Sequence, residues 1–99
     1  MMKLRINPVV AEDLKTIKDF IAEDNTDKAL ETVQKIYKQF ENIQQFPYVG
    51  AELSKRVSFK TNYKYVVWSE YVVLYKVSKD VVEIYRVVNR YQYITRVFG

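Results

Sequence analysis

Tyr71-Val72-Val73-Leu74-Tyr75-Lys76-Val77, a break at Ser78-Lys79-Asp80, and Val81-Val82-Glu83-Ile84-Tyr85-Arg86-Val87-Val88-Asn89 decide the fold of this chain. β-branched and aromatic residues fill both runs and the break has hairpin length, so the pair is predicted to be antiparallel strands. Just upstream, Tyr63-Lys64-Tyr65-Val66-Val67-Trp68 has the same composition and is parted from Tyr71 only by Ser69-Glu70, which extends the hairpin to a meander. Seven of the nine tyrosines lie after residue 60. They suit half-buried strand positions, where the ring packs and the hydroxyl stays wet. An earlier strand over residues 57–61 is only weakly patterned.

Upstream of the meander the apolar period changes from two to 3.6. Val10, Leu14, Ile17 and Ile21, widened by Phe20, fall on one helical stripe, with Glu12, Asp13, Lys15, Lys18 and Asp19 on the other side. Asn7 is placed to cap this helix and Pro8 to open it. Asp24-Asn25-Thr26-Asp27 breaks the helix and offers a new cap. A second helix is expected from about Lys28 to Gln45, with Leu30, Val33, Ile36, Tyr37, Phe40 and Ile43 inside, and Phe46-Pro47-Tyr48-Val49-Gly50 turns the chain out of it. So short a break between long helices makes an antiparallel hairpin. Before them, Lys3 to Ile6 alternates as a short edge strand. The expected fold is therefore α+β: a short N-terminal strand, then an antiparallel helical hairpin packed on a three- to four-stranded antiparallel sheet.

Length and composition narrow the function. Ninety-nine residues form one domain, 1–99, because a chain of this size has apolar surface for a single core. It has no Cys and no His, which removes disulfides, thiolate chemistry, the usual general base near neutral pH and the commonest metal ligand. No cofactor or metal site is predicted. The opening residues hold no apolar run of signal-peptide length and no stretch long enough to span a bilayer, so a cytoplasmic protein without membrane association is expected. Charge is uneven: residues 1–50 hold seven Lys/Arg against eight Asp/Glu, and residues 51–99 hold nine against four. The net charge of +4 thus belongs to the sheet half, which calls for an acidic partner.

Lys55, Arg56, Lys60 and Lys64, with Arg90 and Arg96 further on, interleave with Tyr63, Tyr65, Tyr91 and Tyr93. That pattern suits a phosphate-and-stacking surface, and equally an ordinary solvated face. On regular alternation Arg86 shares a face with Val82, Ile84, Val88 and Arg90 and must be paired or reach an opening. Either it bridges to a carboxylate such as Glu70, or it lies in a groove and offers its bidentate fork to phosphate or a partner carboxylate. One helical hairpin leaves the second sheet face open, and exposed Val and Tyr rimmed by positive charge predict a protein partner there.

These segments resemble the RelE/ParE toxins of type II toxin–antitoxin systems. Arg5-Ile6-Asn7-Pro8 followed by Ala11-Glu12-Asp13-Leu14 resembles that family's strand-to-helix start, and Phe46-Pro47-Tyr48-Val49-Gly50 resembles its Pro-x-x-Gly exit from the second helix. Its most recognisable part is a Tyr-rich strand, a turn and a Val-Glu-Ile-x-Arg-Val strand with a basic exit, which residues 71–90 resemble. The likeness spans nearly the whole chain and has the same element order as the reading above.

What the resemblance implies depends on the branch. RelE-like members cleave mRNA in the ribosomal A site, whereas ParE-like members are associated with poisoning DNA gyrase and are not nucleases. Val72 stands where RelE-like proteins tend to carry Arg, and no C-terminal His is present, while Lys64 resembles an Arg of the ParE branch. The resemblance thus implies a ParE-like inhibitor of DNA gyrase, the toxin of a plasmid-stabilization pair. Its partner is a cognate acidic antitoxin bound in a hetero-oligomer. No catalytic residues are assigned; Lys64, Arg86, Arg90, Tyr91 and Arg96 are the expected target-binding residues. In the alternative, a ribosome-dependent mRNA endoribonuclease, a proton acceptor, a donor and charge on the pentacoordinate phosphate are needed. Lys64 or Lys60 would be the acceptor, Tyr91 or Tyr93 the donor, and Arg86 and Arg90 the charge.

Overall fold

The computed structural model describes residues 2–91. Strand β1 (Lys3–Ile6) leads into helices α1 (Val9–Ala22) and α2 (Thr26–Gln45). A two-residue strand β2 (Ala51–Glu52) and a 3₁₀ turn (Leu53–Lys55) follow, then β3 (Lys64–Trp68), β4 (Tyr71–Ser78) and β5 (Val81–Asn89). Each helix start has a local cause. The Val9 N–H donates to Asn7 Oδ1 at 3.1 Å, and Pro8 already has helical dihedrals, so Asn7 caps and Pro8 opens as their chemistry predicts. Asn25 is extended and its Oδ1 accepts from the Lys28 N–H at 3.0 Å, which begins α2 two residues earlier than expected.

The α+β class and the helical hairpin hold, while the sheet is larger than expected and mixed. Its order is β1-β5-β4-β3-β2, with β1 parallel to β5 and every other pair antiparallel. Residues 57–61 form no strand; the short β2 pairs Ala51 with Tyr65 and Glu52 with Lys64 instead. Both tight hairpins turn on a residue with positive φ, Ser69 at 56° and Lys79 at 40°, the hand that matches strand twist.

Two apolar clusters flank the sheet. On the helix side Val10, Leu14, Ile36, Phe40 and Ile43 meet Tyr71, Val73, Tyr75, Val82, Ile84 and Val87. On the far side Leu53, Val72, Leu74 and Val88 are buried beside Val57, Tyr63, Tyr65 and Tyr85. The far face is therefore not open as expected, because the connection through Leu53 and Val57 folds over it. Leu30 and Tyr37 also depart from expectation. They are exposed on α2, whose inner face is Ala29, Ile36, Phe40 and Ile43. The apolar arc of α2 is wider than the strip the sheet covers.

Strand β5 does not alternate evenly. Tyr75 pairs with Ile84 and Leu74 with Arg86, so Tyr85 is an extra residue and the strand bulges there. Beyond the bulge the faces exchange: Val82, Ile84 and Val87 share the helix side, Tyr85 and Val88 the other. The even-numbered face that grouped Arg86 with Val82, Ile84 and Val88 does not exist. Among the described residues no helix is long and apolar enough to cross a membrane.

Candidate functional site

The bulge sets Arg86 against α1. Its Nε and Nη2 donate to Asp13 Oδ2 and Oδ1, both at 2.9 Å, and the Val87 N–H donates to the same Oδ2 at 3.0 Å. Pairing between β1 and β5 stops at Ile6 and Ile84, so the edge of β5 is unpaired beyond that point and Asp13 takes over its N–H. The Asp13 bond holds the Arg86 pKa above its ordinary value. Of the two readings of Arg86 the bridged one holds, with Asp13 in place of Glu70. The helical pattern places Asp13 only on the polar side of α1, and 73 residues separate it from Arg86, so no local pattern joins them.

Arg86 and Asp13 sit on the wall of a groove of about 450 Å³ between α1 and the end of the sheet where the β3–β4 turn meets the end of β5, with Ile17, Phe20, Glu70 and Tyr71 also lining it. Burial, with the Glu70 charge second, pushes the Tyr71 hydroxyl pKa up. Beside the groove, the Arg90 N–H donates to Glu70 O at 2.8 Å and its Nη1 to Ser69 O at 3.4 Å. The Arg90 guanidinium lies 5.8 Å from the centroid of the exposed Tyr91 ring, and the Tyr91 N–H donates to Asn89 Oδ1. Arg90 and Tyr91 thus form one cationic, aromatic corner. Tyr93 and Arg96 lie outside the described residues.

Lys64 belongs to another place. It pairs with Tyr75, whereas Trp68 pairs with Tyr71 and Tyr71 with Asn89, so four residue steps, roughly 13 Å, separate Lys64 along the sheet from the corner. Its Nζ stands 5.8 Å from the centroid of the Tyr48 ring. Nearby, Arg56 Nε donates to the Tyr65 hydroxyl at 2.8 Å, with the guanidinium 5.9 Å from the centroid of the same ring. Lys55 bridges to Glu52, and Lys60 is exposed. The basic residues that composition grouped together are thus split between opposite ends of the sheet. Among the described residues no cluster of three or more carboxylates offers a metal seat.

A helical hairpin laid across a meander, with a β1 edge strand and a bulged, basic last strand, is the arrangement that the resemblance to RelE/ParE toxins implies. Residues 4–92 match the ParE toxin of type II toxin–antitoxin system, parDE, and the chain belongs to that family. A solved chain of the chromosomal ParDE TA system from P. aeruginosa is similar to it at 25% identity, over 90% of this chain and 96% of that one, with a TM-score of 0.75. Comparison with curated proteins finds no match.

Proposed function

We propose that residues 1–99 act in the cytoplasm as one non-enzymatic toxin domain that inhibits DNA gyrase and is neutralised by a cognate acidic antitoxin. The observation that carries the non-enzymatic reading is the separation of Lys64 from Arg90, with Arg86 taken up by Asp13. General acid–base cleavage of RNA needs its groups within hydrogen-bond reach of one phosphate. Here Arg86 is committed to Asp13, and Lys64 lies beside Tyr48, far along the sheet from Arg90. The Arg90–Tyr91 corner is the proposed target-binding surface. A guanidinium beside an exposed ring is the composition of an interface anchor. Family membership and the similar ParDE structure support the toxin and its pairing with an antitoxin.

The test sets the purified chain against gyrase supercoiling and against a translating ribosome with mapped mRNA ends. Loss of supercoiling with intact mRNA is expected, and Arg90→Ala/Tyr91→Ala should abolish the inhibition. Site-specific mRNA breaks with normal supercoiling would replace this reading by the nuclease one.

A further inference from the structure

Between α2 and β2 the chain presents apolar side chains to solvent on a rigid base. Phe46, Tyr48 and Val49 are 59, 72 and 64% exposed within four residues. The turn beneath them is fastened by fully buried Tyr75, whose hydroxyl donates to Pro47 O and accepts from the Gly50 N–H, both at 2.9 Å. A Cβ at Gly50 would stand 2.5 Å from that hydroxyl oxygen, so only glycine lets the turn close on it. The Val49 N–H donates to Phe46 O at 3.1 Å and completes the knuckle. Single exposed apolar residues are ordinary on a soluble protein, but a held group of them marks a contact surface.

The surroundings of the knuckle are positive. From Phe46 to Ser69 the sequence holds four cations, Lys55, Arg56, Lys60 and Lys64, and one carboxylate, Glu52, which Lys55 bridges. Such a rim attracts an anionic partner, and two classes meet that description: nucleic acid and an acidic protein. Nucleobases need bare ring faces. Here Lys64 stands over Tyr48 and Arg56 over Tyr65, so cations already lie on both rings. The non-aromatic Val49 adds apolar area without a stacking plane. Apolar contact ringed by charge is the pattern of a protein interface.

We propose that the Phe46–Val49 knuckle with Arg56 and Lys64 docks an acidic, amphipathic segment of the antitoxin; this rests on the reading of the chain as an antitoxin-controlled toxin. The knuckle is at the Lys64 end of the sheet and the Arg90–Tyr91 corner at the other. Neutralisation and toxicity should therefore be separable by substitution.

The experiment measures binding of the purified cognate antitoxin to the full chain by calorimetry, with gyrase supercoiling as the second readout. Phe46→Ala/Tyr48→Ala and Arg56→Glu should each raise the Kd about tenfold or more while supercoiling inhibition and the thermal midpoint stay unchanged. Lys15→Glu/Lys38→Glu, which reverses two charges on the exposed helix surfaces, should leave the Kd within about twofold. If the wild-type chain binds antitoxin and the knuckle variants bind equally well, the docking site is wrong and the toxin reading stands. If the wild-type chain binds no antitoxin, the toxin reading fails and takes the site with it. Fluorescence anisotropy with a single-stranded DNA oligonucleotide completes the test: loss of oligonucleotide binding with antitoxin binding retained would assign the knuckle to nucleic acid and overturn the proposal.

Discussion

The Arg86 guanidinium meets the Asp13 carboxylate with two parallel hydrogen bonds, and Asp13 takes a third from the Val87 N–H. Both side chains are mostly shielded, so removing one strands the other's charge. Arg86→Ala should cost roughly 2–3 kcal/mol, below the full range for buried pairs because Arg86 is partly wet. Arg86→Lys should recover only part of that, lacking the planar fork. Urea unfolding checks both, and a double Arg86→Ala/Asp13→Ala chain should lose less than the two single losses combined. A loss of toxicity in Arg86→Ala would then need to be read against its lost stability. Tyr75 gives a second prediction. Tyr75→Phe leaves Pro47 O and the Gly50 N–H without their partner and should cost about 1–3 kcal/mol, and Gly50→Ala a similar amount through overlap with the Tyr75 hydroxyl. Either substitution should also loosen the knuckle. Unfolding midpoints of the single variants decide the point. Arg86 was legible as a residue under constraint, because a charge between Ile84 and Val88 needs a partner. Asp13 was not, since its position beside Arg86 depends on how α1 crosses β5.

Elements followed their local chemistry more closely than their packing did. Asn25 in its extended conformation caps α2, so Asn25→Ala should lower stability by about 1 kcal/mol, read from thermal unfolding. Lys79 turns the β4–β5 hairpin with φ at 40°, a conformation that a side chain with Cβ adopts at a cost. Lys79→Gly should therefore raise stability by up to about 1 kcal/mol, against the usual direction for Gly. A lower midpoint than wild type would show that the turn is not strained. The helix and strand positions could be read in advance because capping residues and apolar period act within a few residues. The bulge at Tyr85 could not, since Val81 to Asn89 keeps an unbroken β-rich composition while the faces exchange midway. Leu30 and Tyr37 misled for a related reason: a helical stripe gives the direction of burial, not how far the neighbouring sheet extends.

For the molecule as a whole, burial on both sides of the sheet links stability to alkaline pH. Burial raises the pKa of Tyr63, Tyr71 and Tyr75. Their folded values exceed the unfolded value of about 10, so the stability they contribute is complete below that pH and is lost as pH rises through the folded values. Urea midpoints should fall above about pH 10, with phenolate absorbance appearing later than in the unfolded chain, and the fall should be shallower in Tyr75→Phe. Charge acts at the same scale. Among the described residues the basic excess of the sheet half does not form one surface, because the sheet sets Lys64 and Arg90 at opposite ends. The α+β class, both helices with their caps and the three-stranded meander were determined by the sequence alone, through propensity and capping, which are local or additive. Only the tertiary structure decided that β1 joins β5 in parallel, that Leu53 and Val57 cover the far face, that Arg86 belongs to Asp13, and that Phe46, Tyr48 and Val49 stand out from Tyr75 as a knuckle. Each of these depends on which residues far apart in the chain come into contact, a choice made by packing the whole core at once.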